Sequence, residues 1–257
     1  MEAINITTEL LCILFAVAFI AGFIDTLAGG GGLIALPALI ISGLPPLAAL
    51  GTNKLQGSMG TATATYMMLK TKKVYWHNVR HLMLSAFLGA LAGTIAVQFM
   101  NTDVLSFVIP VVLLFTAIYF LFMPQLQSED RSPRISENIY HKVIIPLIGW
   151  YDGMFGPGTG SFFALSGISL RGHGLLEATA VAKTLNFSTN FASLFIFLIA
   201  GKVVWSVGVV MMLGQFAGAW GGSRCLFKLN PQHLRLLVVT MCLGMLGKYV
   251  HAMGWIG

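Results

Sequence analysis

The chain has 257 residues, of which 56% are hydrophobic and only 9% charged, with a formal net charge of +6 at pH 7. A soluble domain carries about 25% charged residues, so this composition excludes a protein that covers itself with polar surface. The positive balance is not a nucleic-acid signature, because most Lys and Arg sit at the ends of apolar runs, where cytoplasmic loops collect them.

In chain order, Met1 to Glu9 holds two acids, Glu2 and Glu9, and no Lys or Arg, unlike the basic start of a secretory signal. The first apolar run, Leu10 to Ile24, is therefore expected to be a retained span. Apolar segments follow at about 33–44, 54–69, 82–100, 104–123, 143–170 with a glycine break, 178–200, 203–222 and 234–253. They are continuous and do not alternate, so they read as helices and not as barrel strands. Segment 33–44 is shorter than the roughly 20 residues a crossing requires, and it reads as a re-entrant half-helix, as does the stretch after Gly160. The fold class is all-α, a polytopic integral membrane protein of about eight transmembrane helices. Residues 1–123 form a first transmembrane repeat, 124–141 a polar linker and 142–257 a second repeat. The linker carries Glu129, Asp130, Arg131, Arg134 and Glu137 and is too short to be a soluble catalytic module.

The halves repeat each other. Gly22-Phe23-Ile24-Asp25 runs into Gly29-Gly30-Gly31-Gly32, and Gly149-Trp150-Tyr151-Asp152 runs into Gly156-Pro157-Gly158-Thr159-Gly160. The run Thr52 to Ser58 parallels Ala182 to Ser188, Lys73 to Trp76 parallels Lys202 to Trp205, and Gly89 to Gly93 parallels Gly214 to Gly218. Two interrupted bundles related by a pseudo-two-fold axis follow, with the axis either in the membrane plane or normal to it. The basic run of Lys70, Lys72, Lys73 and Arg80 contains no acid and should be cytoplasmic. An even count of spans then sets Arg224, Lys228 and Arg235 on the opposite side, against the same rule.

Candidate site residues are the polar groups that a bilayer tolerates only for a reason. Gly29, Gly30, Gly31 and Gly32, with Gly156 and Gly158, read either as unwound backbone aiming N–H groups at an anion or as tight turns that need small residues. Asp25 and Asp152 beside them read as coupling sites for a proton or cation, as partners of a lysine, or as helix caps. Lys54 and Lys183 lie inside apolar segments and need a partner unless they snorkel to an interface. Asn53, Gln56, Asn186 and Asn190 complete a polar seam, with Asn186 and Asn190 on one helix face. His77 and His81 have helical ligand spacing but no companion ligand, and Cys12, Cys225 and Cys242 show no paired spacing, so neither a metal nor a cofactor is expected. Ser161 and Ser166 lack a His–Asp pairing, so an enzyme is not expected. The glycines at 89, 93, 214, 218, 221 and 222 should permit close helix packing.

The stretch GFIDTLAGGGGLIALPALIISGLPPLAALGTNK continuing into LQG, and the second signature YDGMFGPGTGSF followed by Ala-Lys-Thr-Leu-Asn, resemble the TauE/SafE family of sulfite-exporter-like permeases, specifically its widespread bacterial branch of unassigned substrate. The resemblance implies a multi-pass protein of the bacterial cell inner membrane that moves sulfite, sulfonates or related organosulfur or carboxylate anions by alternating access. It also implies that the glycines, lysines and amides above bind the anion while Asp25 and Asp152 couple transport or orient the lysines. The alternative is a proton- or cation-coupled permease for a neutral or cationic solute. The expected partners are the lipid bilayer, a small anionic substrate and, as an option, further copies of the chain as a homo-oligomer.

Overall fold

The computed structural model describes residues 6–122 and 132–225, with further helical positions at 239, 240, 243, 244 and 247. Glu2, Glu129, Asp130, Arg131, Lys228, His233, Arg235, Cys242, His251 and most of the predicted run 234–253 lie outside the described residues. Those described form helices and no strand: α1 (Thr8–Ala28), α2 (Gly32–Ile41), α3 (Pro46–Lys70), α4 (Trp76–Gln98), α5 (Thr102–Phe122), α6 (Glu137–Ile139), a π-helical turn (Tyr140–Ile144), α7 (Ile145–Met154), α8 (Thr159–Arg171), α9 (Leu175–Ile199) and α10 (Trp205–Cys225).

Local chemistry sets the boundaries. Thr7 caps α1, its hydroxyl oxygen accepting from the Leu10 N–H. Gly29 ends α1 at φ +75°, its N–H returning to the Asp25 carbonyl. Pro46 opens α3 in the first turn, where its missing N–H is no loss. The π turn precedes Pro146, which has no N–H to give the helix behind it, and the backbone widens there. As expected, α2 is a half-helix: its 10 residues span about 15 Å.

Three helices begin at least three residues earlier than their hydropathy suggests: α3 at Pro46, not near 54, α4 at Trp76, not near 82, and α9 at Leu175, not near 178. Polar or glycine positions close to those starts interrupt the apolar runs. Lys54 and Lys183 therefore sit two turns inside long helices and do not snorkel to an end, at 1% and 2% exposure.

Helices α3 and α9 run antiparallel through the centre. Near the start of α3, Gly51 abuts the Lys202 carbonyl and the Thr52 hydroxyl accepts from the Val204 N–H, both just beyond α9. Near its end, Thr65 donates to the Lys183 carbonyl, close to the α9 start. Helix α10 runs parallel to α3, with Gly208 against Leu55 and Gln215 against Gly60. Helix α1 lies along α10, and α7 along α4. These contacts bring backbones together through glycine: a Cβ on Gly93 would fall 2.0 Å from the Trp150 carbonyl oxygen, and one on Gly218 2.0 Å from that of Phe19.

The burial pattern is inverted relative to a soluble protein. Exposed positions include Phe15, Leu88, Phe107, Phe115, Leu147, Phe195 and Leu213, while Asp25, Lys54, Gln56, Asp152, Lys183 and Gln215 are buried. Three described helices are long and apolar enough to cross a membrane, at Thr8–Leu27, Trp76–Gln98 and Thr102–Phe122. One apolar core gathers α1, α2 and α5, and a second gathers the start of α4, the end of α3 and the start of α9. The buried polar residues lie mostly on α3 and α9.

Candidate functional site

Each lysine reaches across to the helix break of the other half. The Lys54 ammonium from α3 donates to the Asp152 main-chain carbonyl and pairs with Asp152 Oδ1 at 3.0 Å. The Lys183 ammonium from α9 donates to the Asp25 main-chain carbonyl. Both carbonyls lie in the last turn of a helix, at the negative end of its dipole, and that of Asp25 also accepts the Gly29 N–H. A buried cation therefore finds a ready partner there, and the lysines are paired as their position requires.

The aspartates differ. Asp25 Oδ1 accepts from the Gly31 N–H at 3.1 Å, so its carboxylate fastens the break to the start of α2. Asp152 Oδ1 receives the Thr159 hydroxyl at 2.7 Å as well as Lys54. Asp25 is bonded to the backbone of the break and Asp152 to Lys54, the contacts that two of the expected readings require.

The two breaks touch. A Cβ on Gly29 would lie 2.7 Å from the Ser161 nitrogen, one on Gly160 3.1 Å from the Gly29 Cα, and one on Gly32 3.3 Å from the Pro157 Cα. Gly29 and Gly156 both have positive φ, +75° and +96°. At Gly156 a side chain would also press on the Lys54 ammonium, 3.1 Å away.

Where breaks and central helices meet there is a cavity of about 30 Å3, room for roughly two water molecules. Its wall comprises Asp25, Gly29, Gly31 and Gly32 from the first break and Asp152 and Gly156 from the second. Asn53, Gln56 and Gly57 of α3, Asn186 and Asn190 of α9 and Gln215 of α10 close it. Asn186 and Asn190 share a face as their spacing predicts, the Asn190 amide donating to the Asn186 carbonyl at 2.9 Å.

Most of the expected site residues therefore converge, but Gly30, Gly158, Lys54 and Lys183 are not in this wall. The lysines stand behind it, holding the breaks. Gly158 turns toward α5, where a Cβ would meet Thr116 at 2.5 Å. Sequence reasoning missed Gln215 and Thr159. Gln215 carried a usable signal, since an amide inside an apolar span demands a partner. Thr159 carried none that distinguishes it from the other buried hydroxyls, which bond to the carbonyl one turn back, as Thr26 does to Gly22.

The comparisons with known proteins give the family. The sulfite exporter TauE/SafE family matches residues 14–249. The chain belongs to that family, a family of membrane transporters, and is an integral membrane protein. It is 41% identical over 251 residues to a Haemophilus influenzae protein named "Probable membrane transporter protein", covering 98% of each chain. It is 42% identical over 241 residues to "Probable membrane transporter protein ORF9" of a Sinorhizobium species, covering 94% of this chain and 92% of that one. It is 39% identical over 255 residues to "Probable membrane transporter protein YfcA" of Escherichia coli K12, covering 98% and 95%. No solved structure gives a significant match.

Proposed function

We propose that this protein is a secondary transporter of the bacterial inner membrane that moves a small oxyanion, of the sulfite or sulfonate class, by alternating access. The observation that carries the reading is the crossed tie between halves: Lys54 to Asp152 and Lys183 to Asp25, with both glycine breaks closing on one cavity. Discontinuous helices meeting between two halves are how transporters build a site away from lipid. The family match supports the substrate class. The amides of Asn53 and Asn186 supply N–H donors on the cavity wall.

The halves read as inverted repeats. Gly89 and Gly93 meet the carbonyls of Pro146 and Trp150, while Gly218 and Gly222 meet those of Phe19 and Phe23. These contacts favour matching Gly89 and Gly93 to Gly218 and Gly222, one turn beyond the register suggested by sequence. Since α3 and α9 would be equivalent and run antiparallel, the axis lies in the membrane plane. Eight crossings follow if 234–253 spans and α2 and α8 are re-entrant.

At about 30 Å3 the cavity has room for little beyond water, so in this reading the substrate enters when the halves part. The test is sulfite uptake into proteoliposomes. Asn190→Leu, which fills the cavity with an apolar group, should cut uptake at least tenfold while the thermal unfolding midpoint stays near wild type. Wild-type uptake in that variant, or no uptake by the wild type, would remove the site or the substrate class.

A further inference from the structure

Three residues of the cavity wall each carry a buried side-chain oxygen that has no partner. Asp152 is engaged through Oδ1, and its Oδ2 is buried and unbonded; the Oε1 atoms of Gln56 and Gln215 are likewise buried and unbonded. The residues come from α7, α3 and α10, are 1%, 1% and 3% exposed, and all line the one cavity. The Gln56 amide is oriented by its own Nε2, which donates to Asn53 Oδ1 at 2.8 Å. A buried acceptor left unmet costs about 1–3 kcal/mol, so three around one space call for an occupant that is positive or donates protons.

Charge counting points the same way. With Asp25, Asp152, Lys54 and Lys183 all ionised, the site sums to zero, and both ammonium groups are already committed to main-chain carbonyls. An anion entering alone would leave a net negative charge in a low-dielectric interior, which is costly without a partner.

We propose that the cavity binds a monovalent alkali cation through Asp152 Oδ2, Gln56 Oε1 and Gln215 Oε1, and that this cation is the obligatory companion of the transported oxyanion. The inference rests on the transporter reading above. Hard oxygen ligands suit a hard cation, and the cavity accommodates one ion with a water. The cation neutralises the anion where the two halves meet, so the anion moves only with the cation bound. Gln215, which sequence reasoning passed over, becomes a ligand.

The test is sulfite uptake by the full-length protein in proteoliposomes at fixed pH, with sodium, lithium, potassium or choline as the external cation. Uptake should rise at least tenfold when one alkali cation replaces choline. Gln215→Met should raise the half-saturating concentration of that cation about tenfold, equivalent to about 1.4 kcal/mol, with the maximal rate recovered at high cation. Because the wild-type comparison needs no variant, a misfolded Gln215→Met leaves the test intact. Equal sulfite uptake in all four salts overturns the cation site, with water satisfying the three oxygens, and leaves the oxyanion reading standing. Uptake that follows a pH gradient and ignores alkali cations overturns it in favour of protonation at Asp152. Cation-dependent thermal stabilisation without any sulfite movement overturns the companionship and the oxyanion reading together, while keeping the ion site.

Discussion

At the residue scale the decisive pair is Lys54 and Asp152, both 1% exposed and 3.0 Å apart. Removing one member of a buried pair strands a charge and costs about 3–5 kcal/mol, whereas removing both can be close to neutral. Lys54→Met should therefore lower the unfolding midpoint in detergent sharply. Adding Asp152→Asn should recover part of the loss, and only part, because Lys54 also serves the Asp152 main-chain carbonyl, which no side-chain change removes. A double-mutant cycle on thermal unfolding measures this, and strictly additive effects would show that the two side chains are not coupled. Lys183 gives the useful contrast. Its ammonium is held by the Asp25 main-chain carbonyl, and the Asp25 carboxylate is spent on Gly31, so Asp25→Asn should not rescue Lys183→Met. Sequence showed that each lysine needed a partner. It could not show that the partner lay in the opposite half, since that contact depends on how α3 and α9 cross.

At the element scale the sequence was most legible where composition changes abruptly. The half-helix α2, the break before α8 and the long spans α1 and α5 all fall where apolar runs and glycines put them. It was least legible in α3 and α9, whose buried Thr52, Asn53, Lys54, Lys183 and Asn186 make helix interior resemble loop. Burial in a membrane protein can be polar when the polar groups face one another, and hydropathy cannot see that. Of the six glycines read as a packing set, five closely approach a neighbouring backbone and Gly221 does not. A Cβ on Gly218 would strike the Phe19 carbonyl at 2.0 Å, while one on Gly221 would meet only the edge of the Phe23 ring at 3.7 Å. Gly218→Ala must push α1 and α10 apart and should cost about 1–3 kcal/mol. Gly221→Ala sits in ordinary contact and gains about 1 kcal/mol of helix propensity, so it should be neutral or slightly stabilising. Thermal unfolding of the two variants side by side checks the assignment, and the reverse order would mean that α10 is rotated about its axis.

At the scale of the whole molecule the antiparallel centre removes a conflict in the charge distribution. Counting spans in sequence sets Arg224 opposite the basic run at Lys70, but α10 runs parallel to α3, so Arg224 ends at the same face as Lys70, Lys72 and Lys73. Arg134 and Arg171 join that face, because residues 134–135 pair with the end of α8 and α9 begins beside the end of α3. Lys202 lies at the other end, next to the start of α3. Under the proposed function, such an excess of Lys and Arg at one face makes it the expected cytoplasmic face. Lys72 and Lys202 both follow a central helix, α3 and α9, and both are exposed, so they report on whether the halves are inverted. With Cys12, Cys225 and Cys242 changed to Ser, single Lys72→Cys and Lys202→Cys variants can be labelled in intact cells with a membrane-impermeant thiol reagent. The cysteine at 202 should react from the outside and the one at 72 only after the membrane is opened. If both react from the same side, α3 and α9 do not cross in opposite senses, and the crossed lysine ties could not join two inverted halves.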